Sequence, residues 1–479
     1  MVVGNVVPLL TLPLITRRVS VDDYGAWALA GVYGAFITSL ASLGLPLSVE
    51  RNLFEQQSAG DRGRLLYSAV VVVGALTALT IGVTWWFGPA LAQWLTGRKD
   101  DATLIVLTTT SSAVLSLKAF YLLYLRNTSA AGRYVRYSID ETILGSSATL
   151  LLLFGTPLGV LALAAGQLLA VTVVFLLATR HMLTILPFGF RPGVLRDSLR
   201  IGYPLTIKVL FGAVGKNADK YFVSQLVSVG GVGAYSVGQR VSYLVFAYTT
   251  ALENVFSPAV YRRMFAQEPG GGAAIGRYLT PFAYASVAIA LVIALFAREI
   301  LLVIAPAEYH GALPVIAILS LYYAVLFFGK QPQLMYAKKT MVSTVLSMAT
   351  IGITVVLNYW FIRWYGLMGA AWATLTAGVV STALVTVVGQ RSYRIDWEWG
   401  KLALMFGWLA GGVAVSWAAA EWRLGLLAGL AVKTPVIAGY LALGILLGIV
   451  TRVSVAELLH GVSARFRGRS EEASSPVSS

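Results

Sequence analysis

Fourteen apolar segments, separated by short polar links, run through the sequence. Each is roughly 17–25 residues long, the length at which a helix crosses the hydrocarbon core of a bilayer. Hydrophobic residues make up 57% of the 479-residue chain and charged residues only 12%, which are too few charges to cover the surface of a soluble protein of this size. The sequence therefore predicts an all-α polytopic membrane protein with about 14 transmembrane helices.

The basic residues indicate how these helices cross the membrane. The predicted spans are residues 2–16, 24–48, 64–88, 102–125, 137–154, 157–179, 201–226, 232–257, 278–297, 312–329, 340–362, 366–388, 402–419 and 424–450. The links after even-numbered spans, with the C-terminal tail, hold 23 Lys and Arg residues, and the opposite links hold seven. Basic links favour the cytoplasm, so both termini are predicted to be cytoplasmic. The net charge of +15 then reflects contact with anionic lipid rather than with nucleic acid.

The two halves of the chain repeat each other. The sequence VSVDDYGAW at 19–27 returns 208 positions later as VSVGGVGAY at 227–235, and GTPLG at 155–159 parallels YGLMG at 365–369, shifted by 210. Because six spans separate the copies, the repeats enter the membrane in the same direction. We expect two six-helix lobes related by a parallel pseudo-two-fold axis, plus two extra C-terminal helices. The predicted boundaries are 1–179 for the N-terminal lobe, 180–200 for a cytoplasmic linker, 201–388 for the C-terminal lobe, 389–450 for the extra helices and 451–479 for a cytoplasmic tail, disordered at its end.

The seventh span carries most of the charge that lies inside the membrane. Lys208, Lys216, Asp219 and Lys220 occupy one arc of about 120° on a helix with 100° per residue. Charges facing lipid are costly, so this arc is predicted to line a hydrated cavity that binds an anionic group such as pyrophosphate. The alternative is local: Asp219 neutralises Lys216, and Lys220 extends to the membrane surface.

Four further polar residues are predicted inside spans. Arg240 in span 8 lies at a depth similar to Lys216 and can converge with it in the cavity. Lys118 in span 4 either joins the cavity or extends to the cytoplasmic surface. Asn5 in span 1 can bind sugar hydroxyls or link helices, and Lys433 in span 14 is predicted to be structural.

No residue pattern in the sequence supports covalent catalysis or a metal site. The chain has no cysteine, and its three histidines lie in predicted links or the tail without metal-ligand spacing. The carboxylates Asp140 and Glu141 are predicted at the start of span 5, where they complement the helix dipole. We therefore predict no catalytic residue, no metal and no cofactor.

Two stretches resemble the signatures of polysaccharide flippases. TRRVS at 16–20 followed by Tyr24 and Gly25 resembles the first periplasmic link of the Wzx-type flippases, and DKYFV at 219–223 followed by VGAYS at 232–236 resembles their second-half signature. This family belongs to the multidrug/oligosaccharidyl-lipid/polysaccharide exporter superfamily. The resemblance implies movement of polyprenyl-pyrophosphate-linked oligosaccharide across the bacterial cytoplasmic (inner) membrane, by lobes that rock around a cationic cavity. It also implies a role in O-antigen-like or exopolysaccharide biosynthesis, with membrane lipids and a polysaccharide polymerase as partners and no nucleic acid.

Three alternatives stay open from the sequence. Fourteen spans also resemble the peptidoglycan lipid II flippase. An integral-membrane glycosyltransferase or polymerase is the second, because Asp22 and Asp23 in the first outer link resemble the acidic pair of lipid-phosphosugar transferases. These two carboxylates also suit a helix cap on span 2. Drug exporters, the third, are disfavoured because span 1 has no acidic residue.

Overall fold

The computed structural model describes residues 2–56, 58–128, 130–267, 269–329, 332–422 and 425–450, and all the regular elements in these residues are helices. The predicted tail, 451–479, lies outside the described residues. The first-half α-helices are α1 Val2–Thr16, α2 Val21–Ala41, α3 Leu45–Leu53, α4 Ala59–Trp86, α5 Gly88–Thr96, α6 Ala102–Asn127, α7 Ala131–Gly155 and α8 Leu161–Ile185. The remaining α-helices are α9 Pro192–Leu226, α10 Val229–Ala266, α11 Gly271–Leu295, α12 Ala297–Ile304, α13 Ala312–Gly329, α14 Pro332–Tyr336, α15 Thr340–Gln390, α16 Trp399–Glu421 and α17 Leu426–Leu446.

Each predicted span overlaps one or more of these helices. In the part of the chain that the structure describes, nine helices are long and apolar enough to cross a membrane. The eleventh and twelfth predicted spans share α15, which is broken at Gly366, where φ is 57° and ψ is −135°. An L-residue rarely adopts this backbone conformation, so glycine is needed at the break. These features confirm an all-α, multi-pass membrane protein.

Two positions in the first half were predicted wrongly. The helix α7 begins at residue 131 rather than 137, so Asp140 and Glu141 lie well inside the helix and do not cap its N-terminus. His181 lies inside α8 rather than in a link, and its ring nitrogens contact Tyr121 and Arg133. The start of α7, rich in Arg and Tyr, and the end of α8, with Arg180 and His181 side by side, both had the composition of a link.

The internal duplication is visible in the order of the elements. Both halves contain a short helix and then a single 3₁₀ turn, α5 with Lys99–Asp101 and α12 with Ala307–Tyr309. Residue 307 follows residue 99 by the same 208 positions that separate the two sequence repeats. The long helices α4, α6 and α7 have counterparts in α11, α13 and the first part of α15. Duplication of the sequence is therefore accompanied by duplication of local structure.

The helices cluster into two compact units, each made of several chain segments. The first unit contains Met1–Gly238, Leu301–Ala312 and Ile351–Ala373. Within it, α6 and α7 pack against α8, and α2 packs against α6. Small residues allow close packing; a side chain on Gly34 in α2, for example, would contact Thr109 and Ser112 of α6. The predicted lobe boundaries at 179 and 201 stay a prediction.

The second unit contains Gln239–Ile300, Leu313–Thr350 and the described residues from Thr374 onward. Within it, the last two helices pack against α11. Tyr284 and Tyr440 stack with ring centroids 4.6 Å apart, and each hydroxyl donates a hydrogen bond to the other residue's carbonyl oxygen, at 3.0 and 2.9 Å. Two buried hydroxyls satisfied in this reciprocal way fix α17 against α11.

Candidate functional site

The charged arc of the predicted seventh span lies on α9. This helix runs without interruption through 35 residues, so the angular positions calculated at 100° per residue hold. Lys216, Asp219 and Lys220 therefore share one side of α9, as predicted. The side chain of Lys208 lies outside the part of the chain that the structure describes, as does the side chain of Asn5.

Lys216 is exposed on a different side of α9 from the exposed apolar side chains. Tyr203, Ile207 and Phe211 are 70%, 55% and 50% exposed and follow one another every four residues. On the wheel that sets Lys208 at zero, they lie at roughly 220–300°, whereas Lys216 lies at about 80°. The apolar stripe suits contact with lipid tails. Lys216 points roughly the opposite way, so its ammonium group does not share the lipid-facing side of the helix.

Asp219 joins α9 to the start of α10. Its side chain is only 6% exposed. One carboxylate oxygen accepts a hydrogen bond of 2.8 Å from the backbone N–H of Lys220, and Tyr235 hydrogen-bonds to the same carboxylate. Tyr235, which is fully buried, is the last residue of the second sequence repeat. A buried carboxylate that accepts several hydrogen bonds is positioned by them, so Asp219 holds the repeat against the charged helix.

Lys118 is buried rather than extended to a surface. It is 2% exposed and forms an ion pair with Glu141 of α7. The pair links α6 to α7 inside the first unit. Because a buried ammonium is costly without a counter-charge, Glu141 explains how this lysine is tolerated. Of the two alternatives left open for Lys118, extension to the cytoplasmic surface does not agree with this burial, and participation in a substrate cavity stays a prediction.

Arg240 lies on α10 and is half-buried. Convergence of Arg240 with Lys216 stays a prediction. Lys433 on α17 is 1% exposed, and its Nζ atom lies 2.8 and 2.7 Å from the two carboxylate oxygens of Glu299. This geometry is that of a structural ion pair between α12 and α17, in line with the role predicted for Lys433.

The carboxylate partners were missed by the sequence analysis. Glu141 and Glu299 each neutralise a buried lysine of a predicted membrane-spanning helix. A charge count supplies the missing signal, because few carboxylates fall in or beside the spans and each buried lysine requires one. Among the described residues, no three His, Asp or Glu side chains come together as a metal-binding group.

Comparisons with known proteins identify the family and the fold of the chain. The sequence pattern of a family described as polysaccharide biosynthesis protein matches residues 1–261, more than half of the chain. No curated protein sequence matches the chain.

Solved structures resemble the chain along most of its length. One is the lipid II flippase MurJ in an inward closed conformation, with a TM-score of 0.69, 13% identity and coverage of 91% of this chain and 96% of that one. A second is a multidrug resistance MATE family transporter of the MOP superfamily in an inward-facing conformation, with a TM-score of 0.62, 16% identity and coverage of 84% and 95%. A third is the MATE multidrug transporter DinF-BH, with a TM-score of 0.57, 18% identity and coverage of 82% and 92%.

These structures share the fold of a flippase or transporter, and none is described as an enzyme. At 13–18% identity, the likeness shows that the chain has the same fold as these proteins. Because the family match covers more than half of the sequence, the chain belongs to the polysaccharide biosynthesis protein family.

Proposed function

We propose that the chain is a flippase that carries undecaprenyl-pyrophosphate-linked oligosaccharide repeat units from the cytoplasmic to the outer leaflet of the bacterial cytoplasmic (inner) membrane. The proposal includes a role in O-antigen-like or exopolysaccharide biosynthesis, with a polysaccharide polymerase using the flipped lipid. The family match and the flippase and transporter folds support this class of function.

Lys216 is the observation that carries the proposal. An exposed ammonium group on the side of α9 away from the apolar stripe suits a phosphate-bearing substrate better than a hydrocarbon tail. Phosphate oxygens lose hydration when they leave water, and ammonium or guanidinium groups replace it. In this proposal Lys216, Lys220 and Arg240 bind the pyrophosphate during transfer, while the polyprenyl tail stays in the lipid.

The direction of transfer follows from the topology. The larger number of basic residues in the links after even-numbered spans supports cytoplasmic termini. The links 17–20 and 227–228 then face the outer side. Substrate assembled at the cytoplasmic face enters from the basic side and leaves at these links.

Lipid II is a second candidate substrate. The fold resembles the structure described as lipid II flippase MurJ along 91% of this chain. Lipid II and oligosaccharide carriers share the polyprenyl pyrophosphate, so the cationic arc suits both, and the head-group sugars decide between them.

A glycosyltransferase or polymerase is disfavoured by the surroundings of the acidic pair in the first outer link. Ser20 caps α2 by accepting a hydrogen bond of 3.1 Å from the backbone N–H of Asp23. The Asp23 carboxylate lies 2.8 Å from Arg98, which also binds Asp101 at 3.0 Å. Asp22 and Asp23 occupy the first turn of α2, where carboxylates complement the helix dipole.

Leaflet exchange in vesicles of defined composition tests the function. The purified protein is reconstituted with a fluorescent undecaprenyl-pyrophosphate oligosaccharide, and quenching by an impermeant reductant reports the outer fraction. A parallel arm uses fluorescent lipid II. Faster exchange of the oligosaccharide lipid is expected, and equal or greater exchange of lipid II identifies the second candidate. Sugar-chain growth without exchange would refute both in favour of the enzyme.

Lys216→Gln tests the site. Loss of one charged hydrogen bond to phosphate corresponds to about a 10- to 100-fold slower exchange, and Lys216→Arg should retain most activity. The matched control is Lys99→Gln, which removes an exposed lysine from a link. If Lys216→Gln and Lys99→Gln flip equally well, the assignment of α9 as the phosphate-binding face is wrong.

A further inference from the structure

The two copies of the sequence repeat contact each other, and each copy uses the same positions in the contact. A β-carbon added to Gly25 would overlap the carbonyl oxygen of Val229, and one added to Gly233 would overlap the carbonyl oxygen of Val21. Gly25 and Gly233 are separated by 208 positions, and so are Val21 and Val229. Each residue therefore meets the counterpart of its own partner, as in a contact across a two-fold axis.

The helices that cross here also begin in the same way. Ser20 accepts a hydrogen bond of 3.1 Å from the N–H of Asp23, and Ser228 accepts one of 2.9 Å from the N–H of Gly231. Both serines cap the first turn, so α2 and α10 start at matched positions. The crossing follows within about one and a half turns of each cap. It is a backbone-to-backbone contact that glycine alone permits, because a side chain at either position would enter a carbonyl group.

Additional bonds close the same end of the molecule. The hydroxyl of Tyr309, a fully buried residue, donates to the carbonyl oxygens of Val19 and Ser20 at 2.8 and 3.0 Å. Thr16 donates to the carbonyl oxygen of Ile304 at 2.6 Å. These bonds connect the first outer link of one repeat to the segment Leu301–Ala312 of the other, which belongs to the first compact unit.

We propose that this crossing of α2 and α10 is the outer gate of the flippase, that it is closed in this structure, and that it separates whenever a head group leaves on the outer side. The inference rests on the proposed function, which supplies the direction of transport. Gly25 and Gly233 are positioning residues, since they let the two backbones touch and thereby stabilise the closed state. Because the contact is reciprocal, substitutions at the two glycines are expected to have similar effects.

Paired cysteines test whether the gate must open. The chain contains no cysteine, so a pair can be added to the natural sequence. A β-carbon on Gly230 would lie 2.5 Å from Asp22 Oδ1, and these two positions are also counterparts 208 apart. The Asp22 side chain thus reaches the backbone of Gly230, and Asp22→Cys with Gly230→Cys should cross-link under mild oxidation. Exchange should stop in the oxidised protein and return after reduction.

A pair inside one repeat provides the control. The hydroxyl groups of Thr350 and Ser381 lie 2.7 Å apart in the two parts of α15. Cysteines at these positions should also cross-link, and exchange should continue. Absence of the cross-link between positions 22 and 230, or undiminished exchange when it is complete, overturns the gate.

Accessibility measures the gate without any substrate. Gly212→Cys is the reporter, because a β-carbon there meets no other atom within 4 Å and the position lies on the charged arc of α9. Gly25→Ala should raise labelling by an impermeant maleimide added outside by about 5- to 100-fold, the range that overpacking produces. Gly233→Ala should do the same. Tyr309→Phe removes two hydrogen bonds without adding atoms and should raise labelling severalfold. This variant tests the gate even if the alanine variants do not fold.

The readouts separate the gate from the function. One outcome is that Gly25→Ala raises labelling of Gly212→Cys and the cross-link between positions 22 and 230 blocks this labelling, while the wild-type protein does not exchange the oligosaccharide lipid. In that case the gate stands and the substrate assignment fails. If exchange is normal and neither Gly25→Ala nor Tyr309→Phe changes labelling, the gate fails and the flippase stands.

Discussion

The ion pair between Lys433 and Glu299 is expected to make one of the largest single contributions to the stability of the second unit. Lys433 is 1% exposed, and the Glu299 side chain is 17% exposed. The ammonium group lies 2.7 Å from one carboxylate oxygen and 5.7 Å from the ring centroid of Phe296. Replacing Lys433 by Met removes one charge and leaves the other buried without its partner.

The size of the effect follows from the geometry. At 2.7 Å and an effective dielectric constant of about 20, two unit charges attract by about 6 kcal/mol, and desolvation of both ions offsets much of this. Removing one partner of such a pair costs about 3–5 kcal/mol. Lys433→Met should lower the free energy of unfolding by about 3 kcal/mol, the lower end of this range, because the remaining carboxylate is partly exposed. Glu299→Gln should lower it by about 5 kcal/mol, since the remaining ammonium group is fully buried. The double variant Lys433→Met with Glu299→Leu should recover most of the loss.

Unfolding of the purified protein in mixed detergent micelles, followed by circular dichroism against denaturant, measures these free energies. The matched control is Lys401→Met, which breaks a half-exposed pair with Glu398 and should cost under about 1 kcal/mol. Equal stability of Lys433→Met and Lys401→Met would refute the reasoning, as would a double variant no more stable than Glu299→Gln.

Three further outcomes are expected. Lys118→Met should lower the unfolding free energy by about 3 kcal/mol and should be compensated by Glu141→Leu, measured as a double-mutant cycle; simple additivity would argue against a direct pair. Gly366→Ala should cost about 1–2 kcal/mol, read from the thermal unfolding midpoint, because alanine disfavours the positive φ at the α15 break; an unchanged midpoint would contradict this. Burial alone would raise the pKa of Glu398, but hydrogen bonding and attraction from Lys401 lower it. Above the unfolded carboxyl pKa of about 4.3, the wild type should therefore be more stable than Glu398→Gln. This difference in unfolding free energy should vanish as pH falls through the folded pKa, and a constant difference from pH 7 to pH 3 would contradict the lowered pKa of Glu398.

Hydropathy and turn residues were sufficient to predict the long helices. A break before Gly366 was predicted, because a short link with glycine separates two apolar segments. In the structure, Gly366 is the residue of α15 that has non-helical φ and ψ. The short helices α3, α5 and α12 were missed, since eight or nine residues do not develop a clear periodicity.

The site was predictable only in part. Helical periodicity places Lys216 and Asp219 on one side of α9 from the sequence alone. It does not indicate that Asp219 bonds to Tyr235, or that Lys118 is matched by Glu141, because these partners come from distant parts of the chain. The reciprocal contact at Gly25 and Gly233 was likewise not predicted, although the repeat that contains both glycines can be recognised in the sequence.

The interleaved segments of the two units have a consequence for biogenesis. The first unit is complete only when Ile351–Ala373 has been synthesised, although its largest segment ends at Gly238. The early helices of this unit are therefore synthesised before the last helices that pack with them. Splitting the gene after codon 188, in the link between α8 and α9, and co-expressing the two fragments would show whether the early helices can still assemble with the late ones.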